Sequence, residues 1–276
     1  MSVTASRPPV GAMLRDWRLR RRLSQLELAL EAGVSSRHLS FVETGRSRPS
    51  AEMVLHLAEQ LEVPLRDRNQ LLLAAGYAPA FAQRELDAPE LGPVRDAIDQ
   101  VLRGHEPYPA LVIDRHWGLV AANRPLGALV AGVDEQLLEP PVNVLRLSLH
   151  PAGMAPRILN LGQWRAQLLE RLAAEALASG DPALSVLHEE LASYPGGESA
   201  DGLDPGFADI AVPLRLRHRG DELAFISTKT SFATAVDVTV AELSIESFFP
   251  ADEQTAEAMR ALSLRDGAGR AGAATA

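Results

Sequence analysis

Residues 24–50 read SQLELALEAGVSSRHLSFVETGRSRPS, and their punctuation decides the fold of the first part of the chain. Ser24 followed three positions on by Glu27 is a capping box, in which the serine oxygen takes the Glu27 amide and the carboxylate reaches back. Leu26, Ala29 and Leu30 recur at helical spacing and are expected to face inward. Gly33 stops this short helix, because glycine enters the left-handed region without a Cβ clash. Ser35 caps the next helix. There Leu39 and Val42 point inward, Ser36, Arg37, Ser40 and Phe41 are left outside, and Gly45 ends the run. Two helices parted only by Gly33-Val34 cross steeply, which is the helix-turn-helix arrangement.

The flanks agree. Met13 to Leu23 reads as a helix with Leu14 and Trp17 on one side. Ser50 starts a fourth helix carrying Met53, Leu57, Ala58 and Leu61, and Val63-Pro64 breaks it. A fifth, Leu65 to Ala75, closes at Gly76. Five short helices make an all-helical domain over residues 8–78.

Charge separates this head from the rest of the chain. Residues 1–84 hold 12 Arg and 8 acids, leaving +4; residues 85–276 hold 15 basic residues and 28 acids, leaving −13; together they give the chain's −9. The whole-chain value argues against a general nucleic-acid binder. The clustering of Arg15, Arg18, Arg20, Arg21 and Arg22, then Arg37, Arg46 and Arg48, is what a phosphate-facing surface needs.

The stretch 24–50 resembles the lambda-repressor-like (Cro/C1, or XRE-type) helix-turn-helix regulators. The matching residues are Ser24-Gln25, Leu28-Ala29, Ala32-Gly33-Val34-Ser35, Glu43-Thr44-Gly45 and Pro49-Ser50, while Phe41 departs, standing where many members carry a small or polar residue. The resemblance implies binding to double-stranded DNA with the third helix in the major groove. Ser36, Arg37 and Ser40 then meet base edges, Arg37 as a bidentate guanine contact and Phe41 against a thymine methyl. His38 reaches a phosphate, Gln25 clamps another, and Thr44, Arg46 and Arg48 contact the backbone. A homodimer on two half-sites is part of the same implication.

Beyond residue 84 the pattern changes. Leu91 to Leu102 carries Val94, Ile98, Val101 and Leu102 on one helical stripe. Leu111-Val112-Ile113 and Trp117 to Val120 read as strands around an Asp114-Arg115-His116 turn, and Asn123 reads as the cap of a helix after them. Trp164 to Leu177 is an amphipathic helix with Leu168, Leu172 and Ala176 in register, and Leu184 to Leu191 is a shorter one. Residues 194–209 read as a polar surface loop. Three strands come last: Val212-Leu214-Leu216 with arginines alternating, Leu223 to Phe232 after an Arg219-Gly220 hairpin, and Val236 to Phe248. The expected fold is therefore a two-domain chain: the helical head, then an α/β domain over 85–265 with about five antiparallel strands, and a disordered Gly/Ala-rich tail over 266–276.

This body resembles the MmyB-like (MltR-type) ligand-binding domain, a PAS-like fold that follows such a head in one bacterial regulator family. The stretches that carry the resemblance are Leu73 to Tyr77, Ala110 to Asp114 with Trp117 and Ala122-Asn123, Asn143 with Leu145-Arg146, Leu161 to Trp164, His188-Glu189-Glu190, and Thr228 to Glu246 ahead of Phe249-Pro250. It implies a small-molecule sensor, and a fatty acid has been associated with the fold. A pocket between sheet and helices is expected to be lined by Trp117, Asn123, Trp164, Leu168, Phe225 and Phe232, with His188 lining it or in an ion pair. The other reading makes the body a protein-partner or dimerisation module without a ligand.

Enzymatic readings find little. Cysteine is absent, which excludes thiolate metal sites and cysteine nucleophiles. No His-Glu-x-x-His, Walker loop or Gly-x-Ser-x-Gly occurs. No enzyme activity, cofactor or metal is expected. The start, MSVTASRPPV, has no apolar signal core and no apolar run would span a membrane, so a cytoplasmic location is expected.

Overall fold

The computed structural model describes residues 9–196 and 212–273, with side chains described to Leu264. The chain divides into two compact units. The first runs to Glu85 and takes in 177–180 and 234–241; the second holds the rest, so the body is not the uninterrupted 85–265 expected from the sequence.

The first unit opens with five helices: α1 (Val10–Arg20), α2 (Gln25–Glu31), α3 (Ser36–Glu43), α4 (Ala51–Gln60) and α5 (Leu65–Ala74). The caps are where the serines stand. Ser24 and Glu27 form the capping box, Ser35 Oγ accepts from His38 N, and Ser50 Oγ accepts from Met53 N. Gly33 at φ +62° and Gly45 at φ +72° make the turns that bound α3. The core is Leu14, Trp17, Leu28, Leu39, Val42 and Leu57 with their neighbours. One expectation fails here. The segment LELALEA offers two overlapping helical stripes, and packing takes Leu28, Ala29 and Ala32, leaving Leu26 59% and Leu30 72% exposed.

The second unit begins with α6 (Gly92–Gly104), β1 (Ala110–Ile113), β2 (Leu119–Ala122), α7 (Arg124–Val130), α8 (Val144–Leu149) and α9 (Leu161–Ser179). It continues with α10 (Pro182–Ser193), β3 (Leu214–His218) and β4 (Asp221–Ser231). After α11 (Val238–Ala241), which belongs to the first unit, the second unit ends with β5 (Ser244–Pro250) and α12 (Glu253–Ala273). The five strands form one antiparallel sheet in the order β2-β1-β5-β4-β3. The β3–β4 hairpin turns on Arg219 and Gly220, both at positive φ.

Strand β1 is buried on both faces. Leu111 and Ile113 enter the main core with Trp117, Leu168, Leu172 and Phe225, whereas Ala110 and Val112 enter a smaller cluster with Ile98 and Leu102 of α6. That two-sided burial explains its unbroken apolar run.

Three further expectations are corrected. The alternating Val236, Val238 and Val240 do not begin a strand, because Asp237 Oδ1 accepts from Thr239 N and starts the short helix α11. The Gly/Ala-rich stretch expected to be a disordered tail is helix to Ala273, and 274–276 lie outside the described residues. Asn123 stands at the N-terminus of α7 without capping it, its side chain being used elsewhere. The expected polar loop at 194–209 falls mostly on 197–211, outside the described residues.

Candidate functional site

Helix α3 divides its residues cleanly. Leu39, Val42 and Glu43 are buried, while Ser36 and Arg37 are exposed and Ser40 and Phe41 half-buried on the other side. Arg37 and Arg46 flank the Phe41 ring, with guanidinium carbons 5.4 and 5.9 Å from its centroid. Two cations thus stand near one aromatic ring on the outer side of the helix. Thr44 is exposed, and its hydroxyl donates to Ser40 O at 2.7 Å, closing the end of the helix. His38 is half-buried, off the Ser36–Ser40–Thr44 line.

What fixes α3 is an ion pair. Arg18 on α1 donates from Nε and Nη2 to Glu43 Oε1 and Oε2 at 2.7 and 2.8 Å, and Gln25 Nε2 donates to Glu43 Oε2 at 2.7 Å. The Glu43 bond and charge raise the Arg18 pKa. Burial pushes the Glu43 carboxyl up, but the bonds from Arg18 and Gln25 outweigh it and hold it below the ordinary range. Arg18 therefore leaves the expected phosphate-facing cluster, and the Gln25 amide nitrogen is bonded to Glu43. Arg48 is exposed but is bonded within the unit as well. It donates to Ala75 O from Nε and Nη2 at 3.2 and 2.8 Å, capping the end of α5, and lies 5.4 Å from the Tyr77 ring. Sequence spacing could not show these pairings, because the partners are 18 to 27 residues apart.

The second unit holds an apolar cavity of about 60 Å³, several times the roughly 10–15 Å³ that one water requires. Trp117, Trp164, Leu168 and Phe225 line it as expected, beside Leu111, Leu129, Leu145 and Phe248. Its polar lining is Ser148, which accepts from Trp164 Nε1 at 3.1 Å, and Glu246. Three expected lining residues lie elsewhere. Asn123 is a buried brace that accepts from Ala110 N at 2.9 Å and donates to Leu102 O and Tyr108 O. Phe232 packs on the smaller cluster on the other face of β1. His188 sits half-buried on α10, away from the cavity lining, and joins neither expected role among the described residues.

Sequence reasoning missed Glu246 as a lining residue. Its alternation with Phe248 on β5 was legible, but a charge at an apolar position signals nothing until its partner is known. That partner is Arg171 on α9, whose Nη1 donates to Glu246 Oε1 at 3.0 Å. Arg171 also covers the Trp117 ring at 4.5 Å, and Lys229 approaches it at 4.9 Å. Glu175 accepts from Trp117 Nε1 at 2.9 Å and from Lys229 Nζ at 2.8 Å.

The model of the MmyB-like transcription regulator ligand binding domain matches residues 94–262. The chain belongs to this family. A helix-turn-helix model matches residues 14–67. The chain is also 36% identical over 83 residues to the uncharacterized HTH-type transcriptional regulator RghRB of Bacillus subtilis (strain 168), an alignment covering 30% of this chain and 58% of that relative. This member of the MmyB-like family thus carries a helix-turn-helix segment followed by a C-terminal domain of the ligand-binding type. Among the described residues, no helix is long and apolar enough to cross a membrane, and no group of three His, Cys, Asp or Glu is placed to hold a metal.

Proposed function

We propose that this regulator works as a Cro/C1-type homodimer, reading two half-sites about one helical turn apart with its paired α3 helices. The observation that carries the reading is the outer stripe of α3, where Ser36, Arg37, Ser40 and Phe41 lie opposite the buried Leu39 and Val42. Arg37 takes guanine O6 and N7, and Phe41 packs on a thymine methyl. Arg46, Thr44 and His38 serve the sugar-phosphate backbone. Gln25 and Arg48 serve the backbone as well, while also holding Glu43 and the end of α5.

The body is proposed to be a PAS-like sensor whose cavity takes a small apolar ligand, since a mostly apolar hollow with a few fixed polar groups is what small-molecule sites offer. The ligand prefers one of two dimer states and so changes operator affinity. No catalytic step is proposed. Selection of random duplexes with the full chain tests the DNA half. A single consensus should emerge, and Arg37→Ala should weaken it by about 1–3 kcal/mol while relaxing one base position. Equal enrichment by wild type and Arg37→Ala would remove Arg37 from the readout.

A further inference from the structure

The loop of one hairpin belongs to the first unit, while its stem walls the cavity. Strands β4 and β5 pair as far as Ser231 opposite Ser244. Their stem carries Phe225, Glu246 and Phe248, all of which line the cavity. The loop between them holds residues 234–241, which are part of the first unit. Only two residues on each side join that segment to the strands. At about 3.3–3.6 Å per residue, each joint adds at most about 7 Å of chain, which leaves little slack at the end of the stem. The attachment within the first unit is specific. Buried Asn69 on α5 accepts from Ala80 N and Phe81 N at 3.0 Å each, and its Nδ2 donates to Phe81 O at 2.8 Å. Ala82 then pairs in parallel with Asp237, Val238 N donates to Ala82 O at 2.8 Å, and Thr239 Oγ1 donates to Arg84 O at 2.6 Å. Asp237 is 6% exposed; Arg84 Nη1 donates to its Oδ2 at 2.8 Å, while its Oδ1 starts α11. Val238 and Val240 are buried as well. Releasing this segment would cost the buried carboxylate its cation and expose two apolar side chains.

We infer that this loop is a regulatory strap: the state of the cavity reaches the DNA-binding head through residues 234–241, and the pair of Arg84 and Asp237 is its fastening. This rests on the sensor reading above and names the element that carries its coupling. A ligand that changes the spacing of β4 and β5 loads the fastening. By reciprocity, an occupied operator must change the stability of the stem.

The reciprocal direction can be measured with DNA as the probe. Amide hydrogen exchange is followed residue by residue in the full-length protein, free and saturated with the duplex that random selection yields. Operator should change exchange of the Val238 amide and of the β4–β5 ladder by at least about threefold. Arg84→Gln should abolish the change in the ladder while α2 and α3 still respond to operator. Arg84→Lys, which keeps a charged donor for Asp237, should restore it. The Arg84 side chain is 42% exposed, so neither substitution opens a cavity. A ladder indifferent to operator in the wild-type protein, or one that responds equally in Arg84→Gln, would overturn the strap while the DNA reading stands. If no duplex is selected, the DNA reading itself falls and the strap falls with it. A silent wild-type ladder decides against the strap even if Arg84→Gln does not fold.

Discussion

Glu43 shows how one side chain serves a surface it never touches. It is buried at the end of α3, and its two oxygens take the Arg18 fork and the Gln25 amide. Breaking such a pair from one side strands a buried charge, so Glu43→Gln should cost the first unit about 3–5 kcal/mol in chemical denaturation. The pH dependence has a definite sign. The folded carboxyl titrates below the ordinary value of 4.5, so its stabilisation is complete above that value and is lost as pH falls through the lower, folded one. Denaturation between pH 7 and pH 3 should show this loss in the wild-type protein and a flatter profile in Glu43→Gln. An unchanged slope would mean that Glu43 is not the group responsible. Residue by residue, the outward set on α3 was legible because helical periodicity assigns faces. The commitments of Arg18, Gln25 and Arg48 were not, since an arginine in sequence does not state whether it faces water, phosphate or a carbonyl.

At the scale of elements, α1 and α3 meet at a glycine. A Cβ added to Gly11 would lie 2.2 Å from Val42 O and 2.8 Å from Glu43 O, and both are backbone atoms that cannot rotate away. Gly11→Ala should therefore lower the thermal midpoint, with a cost of about 1–3 kcal/mol, and should weaken operator binding by displacing α3. A stable, fully binding Gly11→Ala protein would show that the two helices can part freely. Helices α8 and α10 are tied by charge instead. Arg146 donates to Glu190 at 2.7 and 2.6 Å, and the Tyr194 hydroxyl donates to the same carboxylate at 2.5 Å. Burial, then the Glu190 bond and charge, pushes the Tyr194 phenol up to about 12. An alkaline spectrophotometric titration should find one of the three tyrosines ionising only near that value, and Tyr194→Phe should remove that step. The elements themselves were largely readable, because capping serines, stop glycines and alternation are local signals. The exception at 236–243 is instructive: Val236, Val238 and Val240 alternate as a strand would, but the Asp237 cap turns that stretch into α11.

At the scale of the molecule, the proposal makes a thermodynamic demand. If a cavity ligand changes operator affinity by some factor, bound operator must change ligand affinity by the same factor, with a coupling of about 1–3 kcal/mol. Titrating a cavity ligand into the free protein and into the operator complex, and operator into both ligand states, checks the equality. Ligand binding that leaves operator affinity untouched would leave the body as a binding module uncoupled from the head. Charge belongs to this scale too: the head's +4 and the body's −13 mean that only one part of the chain is suited to meet phosphate.

The helix-turn-helix head, its outward stripe, the five antiparallel strands and the separation of charge were all readable before any fold was known. Each of these rests on signals that act over a few residues or sum along the chain. Packing alone settled which apolar stripe of α2 is buried, which arginines remain available, and which of the expected lining residues reach the cavity. Asn123 and Phe232 look like pocket residues in sequence, yet one braces β1 and the other packs behind it. Glu246 looks like a misplaced charge until Arg171 stands beside it. Burial and pairing are properties of two segments at once, and the energy of a charge or an apolar side chain is set by what the fold brings against it.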